Sequence, residues 1–171
     1  MTPTRSLTLA ATLLAAAALA AAGCGSSDDG DGGAPAPASN GQKTTIALAD
    51  TGLGRVLVDA QGRTLYLFEA DKGPTSTCTG GCATEWPPLR VSGKPTVGAG
   101  LKASLVGTTK RTDGKREVTY AGHPLYLYVG DQKPGDTTGQ GIDAFGALWY
   151  AVTASGSNAS GSASGGGSSV Y

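Results

Sequence analysis

The side chains of this 171-residue chain best suited to chemistry are two thiols separated by three residues, Cys78 and Cys82, and one imidazole, His123. Soft thiolates with an imidazole suit Cu(I), so these three form a candidate copper or thiol-redox set. The competing reading is a Cys78–Cys82 disulfide across a tight Gly-bearing turn, the default for paired cysteines in an exported protein. The disulfide is favoured, because His123 precedes Pro124 at a hairpin corner where a surface turn residue is the simpler account. Copper stays as the alternative cofactor and no other is expected.

A second constellation occurs twice. Tyr66, Phe68 and Asp71 return sixty residues later as Tyr126, Tyr128 and Asp131. Aromatic faces, hydroxyls and a carboxylate together could hold a sugar, a cation or a peptidoglycan fragment. The same types are also what a strand and a following turn require, with Asp bonding the backbone two residues on. The second account covers every residue, so the motif reads as architecture first and ligand pocket second. Enzyme signatures are missing: there is neither Gly-x-Ser-x-Gly nor Gly-x4-Gly-Lys, and a single His leaves little for a triad. A paired-carboxylate hydrolase would draw on Glu69, Asp71, Glu85 and Asp131, and nothing in their spacing demands it. A non-catalytic protein is expected.

The elements that carry these residues repeat as well. Leu65-Tyr66-Leu67-Phe68 returns as Leu125-Tyr126-Leu127-Tyr128, Gly62 returns as Gly122, and Val58 aligns with Val118. A period of this length predicts two copies of one supersecondary unit. Val56-Leu57-Val58 and Leu65–Phe68 flank a Gly-bearing turn and read as a hairpin, and Glu117–Tyr120 with Leu125–Tyr128 reads likewise. Ile46–Asp50 reads as an opening strand and Trp149–Val152 as a closing one. Apolar residues nowhere recur at helical spacing over three turns, so the domain is expected to be all-β, two tandem hairpin or meander repeats in one small sandwich or barrel. Leu65 and Leu67 point to one face and Tyr66 and Phe68 to the other, which puts this strand and its copy at the centre of the core, related by a pseudo-twofold axis. Trp86-Pro87-Pro88 cannot donate to a ladder and reads as an edge or loop, with a cis bond at Trp86-Pro87 a candidate; Trp149 is the counterpart of Trp86. Thr138 and Ile142 align with the two cysteines, so the copies differ there and at Arg63 against His123.

The doubled Tyr-x-aromatic-x-x-Asp motif, the Cys78-Thr79-Gly80-Gly81-Cys82…Trp86-Pro87-Pro88 segment and Thr119-Tyr120-Ala121-Gly122-His123-Pro124-Leu125-Tyr126 resemble the bacterial secreted-repeat lipoproteins named for that motif. The resemblance covers roughly 51–152. It implies an exported, lipid-anchored, repeat-built protein of a family with no established activity. Copper-delivering proteins with a Cys-x3-Cys and His ligand set have a thioredoxin-like α/β fold, which this chain's pattern does not resemble.

The ends fit export. Arg5 followed by the apolar run Leu7–Ala22 reads as a signal peptide over 1–23, too short for a permanent span of ~20 residues. Small residues lead into Cys24 as in a lipobox, and lipidation there would use up the odd third thiol; Ala21 stands where Leu is usual. The expected organisation is a lipidated Cys24 with a flexible linker over 24–42, a β domain over 43–154, and a disordered Ser/Gly-rich tail over 155–171. Copy one is expected at about 52–100 and copy two at about 106–153. Between Lys43 and Ala154 there are twelve Lys/Arg and ten Asp/Glu, a net charge near +2. That balance argues against a nucleic-acid partner, and none is expected. The expected partners are the membrane, through the lipid on the extracytoplasmic face, and a cell-wall or envelope component.

Overall fold

The computed structural model describes residues 45–161. The expected signal peptide, Cys24, the linker and the last part of the tail lie outside the described residues. Eight strands form three small antiparallel sheets: β1 (Ile46–Thr51) with β2 (Gly54–Asp59); β3 (Tyr66–Phe68), β8 (Ala147–Ala151) and β7 (Asp143–Ala144); and β4 (Val106–Lys110), β5 (Arg116–Tyr120) and β6 (His123–Pro124). Among the described residues helix is confined to one short turn, α1 (Gly81–Glu85), and a 3-10 turn at Ala103–Leu105. The fold is all-β and built of two repeats, as the hydrophobic pattern predicts.

The two hairpins differ by one residue in their loops, and this corrects the alignment of their first strands. Ala121-Gly122 is a two-residue loop with both φ positive, 49° and 85°, the geometry that matches strand twist. Copy one uses Ala60-Gln61-Gly62, three residues ending in a left-handed Gly62 at φ 81°. Leu65 N–H therefore donates to Leu57 (2.9 Å), while Leu125 N–H donates to Val118 (3.0 Å). Leu57, rather than Val58, is the equivalent of Val118. A sixty-residue sequence match could not register this, because the loop difference sits inside the repeat.

The copies are interleaved. The strand that follows copy one docks into the hairpin of copy two: Leu89 N–H donates to Leu125 and Val118 N–H to Leu89, both at 2.8 Å. The strand that follows copy two returns to copy one, where Leu57 N–H donates to Val152 (2.7 Å) and Val152 N–H to Leu65 (3.1 Å). At the centre Tyr66 and Tyr126 exchange both backbone bonds, each 2.9 Å. That reciprocal pair is the expected pseudo-twofold axis. Pro88 bridges Tyr126 within this ladder, and Trp86-Pro87 is trans, since no cis peptide occurs among the described residues.

Alternation along the central strands divides the interior in two. Leu65, Leu67, Leu125 and Leu127 join Ile46, Leu57, Leu89, Val118, Tyr120 and Val152 on one face. Tyr66, Phe68 and Tyr126 join Trp86, Trp149, Cys78 and Cys82 on the other. Each buried aliphatic side chain contributes about 1.5–3 kcal/mol and a buried aromatic at least as much, so the two faces together hold the copies in place. The ordered chain also passes the expected boundary at Ala154. Asn158 bridges Val152, Ala159 N–H donates to Ala151 (2.7 Å), and Ala159 is buried against the aromatic face. Ser/Gly composition hid this, because the segment is held by backbone bonds, by Gln140 and Tyr120 side chains reaching its carbonyls, and by one small buried side chain.

Candidate functional site

The motif residues meet across the axis. Tyr66 Oη donates to Asp131 Oδ2 at 2.7 Å, and Tyr126 Oη donates to Asp71 Oδ2 at 2.5 Å. Each tyrosine is thus tied to the carboxylate of the other copy. Burial and the adjacent Asp131 push the Tyr66 hydroxyl far above the ordinary phenol range. Tyr126 is raised likewise, by burial first and then by Glu117 and Asp71. Both phenols stay protonated and act as donors.

The second oxygen of each carboxylate closes a loop. Asp71 Oδ1 accepts from Thr77 N–H (2.7 Å) and Oγ1 (2.6 Å), and Asp131 Oδ1 accepts from Thr138 N–H (2.9 Å) and Oγ1 (2.6 Å). The expectation of a bond to the backbone two residues on is corrected: the acids reach six and seven residues ahead. The signal in the sequence is a Thr at nearly the same distance after each motif Asp. The match of Thr77 to Thr138 makes Gly139 the equivalent of Cys78, displacing Thr138 from that role. Ile142 keeps the place of Cys82, since Trp86 N–H donates to Cys82 and Trp149 N–H to Ile142.

Beneath the lock the large rings form one column. Trp86 and Trp149 stack at 4.0 Å and 6°, with Phe68 on the far side of Trp149 (4.1 Å) and Tyr128 on the far side of Trp86 (4.3 Å). Tyr66 meets Trp86 edge-on at 5.4 Å, and Tyr126 meets Trp149 edge-on at 5.1 Å. Both arrangements are favourable for aromatic quadrupoles, worth about 0.5–1.5 kcal/mol per pair beyond burial. A Cβ on Gly139 would lie 2.9 Å from both Trp86 and Tyr66. Gly139→Ala is expected to cost about 1–3 kcal/mol in urea unfolding; an unchanged midpoint would show the column can shift without penalty.

The two copies also differ around the cysteines, where copy one supplies a disulfide and copy two a buried ion pair. Cys78 and Cys82 form a disulfide around the start of α1. Arg111 is buried beside it, donating to the Cys78 carbonyl (2.5 Å), to Ser76 Oγ (2.6 Å) and to Glu117 Oε2 (2.7 Å). Ser76 in turn shares a hydrogen bond with Tyr126 (2.6 Å), which joins the ion pair to the lock. Glu117 is fully buried and its other oxygen has no hydrogen-bond partner among the described residues. Burial raises its carboxyl to about 7, against the downward pull of Arg111. For Arg111, burial opposes the charge, and the hydrogen bond to Glu117 together with the charges of Glu117 and its neighbours offsets it, so the guanidinium lies above its ordinary value. Glu117 occupies the position of Val56 in copy one, an acid where the other copy has a buried apolar side chain. Sequence reasoning passed over both Arg111 and Glu117.

His123 and Glu69 lie at the border of this network. His123 lines an open recess of about 430 Å³ with Phe68, Glu69, Asp71 and Asn158. Glu69 accepts from the Asn158 side chain at 3.1 Å. Among the described residues no three His, Cys, Asp or Glu side chains are grouped to hold a metal ion. With both thiols in the disulfide, the copper reading receives no support from this geometry.

Fold and site together define a two-copy, interleaved β module whose repeated motif is an internal lock. The family described as a secreted repeat of unknown function matches residues 47–90 and 107–153, one match for each copy, and the chain belongs to that family. It is accordingly an exported protein. No curated protein and no solved structure matches the chain.

Proposed function

We propose that the protein is a lipid-anchored, non-catalytic module of the cell envelope, held to the membrane through Cys24 and presenting its β domain outside. One observation carries the non-catalytic part. The hydroxyls and carboxylates of the repeated motif, Tyr66, Tyr126, Asp71 and Asp131, bond one another and two threonine loops. Groups so engaged rigidify a scaffold, and a general acid or base must instead reach its substrate. The anchor rests on the small residues before Cys24 and on arithmetic: Cys78 and Cys82 pair, which leaves Cys24 the odd thiol of an exported chain. Its test is fractionation of cells expressing Cys24→Ala. Most of the protein should move from the membrane pellet to the soluble or culture fraction; full retention in the pellet would refute the anchor.

A further inference from the structure

The charges of the domain are sorted. Segment 90–116 holds seven Lys/Arg and one acid, Asp113, while the other described residues hold four Lys/Arg and nine Asp/Glu. Of the seven, Arg111 is buried with Glu117, and the other six are exposed: Arg90, Lys94, Lys102, Lys110, Lys115 and Arg116. Arg90 pairs with Asp113 at 2.9 Å, and no other ion pair engages these six among the described residues. A near-neutral chain therefore concentrates its exposed cations in one segment, and Arg90, Lys94, Lys115 and Arg116 share one recessed face of it.

That face is grooved. A recess of about 490 Å³ runs between the Lys94–Val97 segment and β4, with Lys94 and Arg116 in its wall. Arg116 also lines a neighbouring recess of about 430 Å³ with Arg90, Ser92 and Lys115, so the two share a wall. Basic side chains spaced along joined recesses suit a linear anion better than a compact one. A bilayer is a poorer fit. Membrane-docking faces present large apolar side chains with their cations, and the exposed ones here, Val129 and Phe145, lie outside segment 90–116.

From these observations we propose that the groove lined by Lys94, Lys115 and Arg116 binds a linear anionic polymer of repeating phosphate or carboxylate groups. This rests on the protein being exported, which sets such polymers rather than nucleic acid before it, and does not depend on the lipid anchor. The test uses the full chain with Cys24→Ala throughout, so that vesicle binding reports the basic face alone. The probes are long-chain inorganic polyphosphate, poly-L-glutamate, and vesicles of phosphatidylglycerol with phosphatidylcholine. Wild-type surface should bind at least one polymer, with affinity falling steeply as salt rises. Lys94→Glu/Lys115→Glu should weaken it roughly tenfold or more, while Lys72→Glu/Lys133→Glu, an equal charge change elsewhere, should leave it within about twofold. Unfolding midpoints of both doubles exclude loss of fold as the cause. Polyphosphate against poly-L-glutamate then identifies the anion. Equal loss in the two doubles, absence of polymer binding, or binding to vesicles and neither polymer would overturn the proposal.

Discussion

Replacing Asp131 by Ala is expected to lower stability by about 3–5 kcal/mol, since it removes a buried carboxylate that accepts from Tyr66 and twice from Thr138. The Tyr66 hydroxyl would be left fully buried with a single bond at 3.3 Å from Gly139 N–H. Asp71→Ala should cost less, since it frees the Thr77 loop while Tyr126 keeps its hydrogen bond with Ser76. The decisive measurement is a set of double-mutant cycles by urea unfolding. Tyr66→Phe with Asp131→Ala should couple by about 1.5–3 kcal/mol, the value of a hydrogen bond to a charged group. Tyr66→Phe with Asp71→Ala, residues of the same copy, should be close to additive. The opposite ranking would mean that the motif works within each copy, and the reciprocal lock would be wrong.

Arg111→Met is expected to be as damaging, about 3–5 kcal/mol at pH 8, because it strands the Glu117 carboxylate without its partner in a fully buried site. Arg111→Met/Glu117→Leu should recover most of that loss, since the desolvation cost leaves with the charges. The pH dependence follows from the raised carboxyl. Folded Glu117 keeps its proton up to about 7, and the unfolded chain loses it near 4.5. The folded state binds more protons between those values, so the stability from this group is full below the unfolded value and is lost as pH rises toward 7. The span corresponds to a loss on the order of 3 kcal/mol. Glu117→Gln lacks this contribution, so the difference between wild type and Glu117→Gln should change over pH 5 to 7.5. Parallel profiles would show that Arg111 holds the carboxylate ionised throughout.

Fold class, repeat and core strands were legible because they depend on near neighbours in the chain. Leu65–Phe68 and Leu125–Tyr128 alternate Leu with aromatic residues, and a strand must send the two sets to opposite faces whatever surrounds it. The Gly-bearing loops likewise announce hairpins, since positive φ is costly for other residues. Paired cysteines in an exported chain pointed to the disulfide by compartment and spacing.

Pairings between distant segments were decided only by the tertiary structure. Which copy receives the strand after each repeat depends on the packing of Leu89 and Val152 between hairpins, and no local preference distinguishes the two exchanges. The reach of Tyr66 to Asp131 follows from that interleaving, which carries each hydroxyl past its own acid to the other copy's. The buried Arg111–Glu117 pair had the same origin: the sequence concentrates seven cations in 90–116, and only folding separates the one that is buried from the six left in water. The thiols and imidazole that look most reactive in the sequence thus recede, Cys78 and Cys82 into a disulfide beside Arg111 and His123 to a hairpin end.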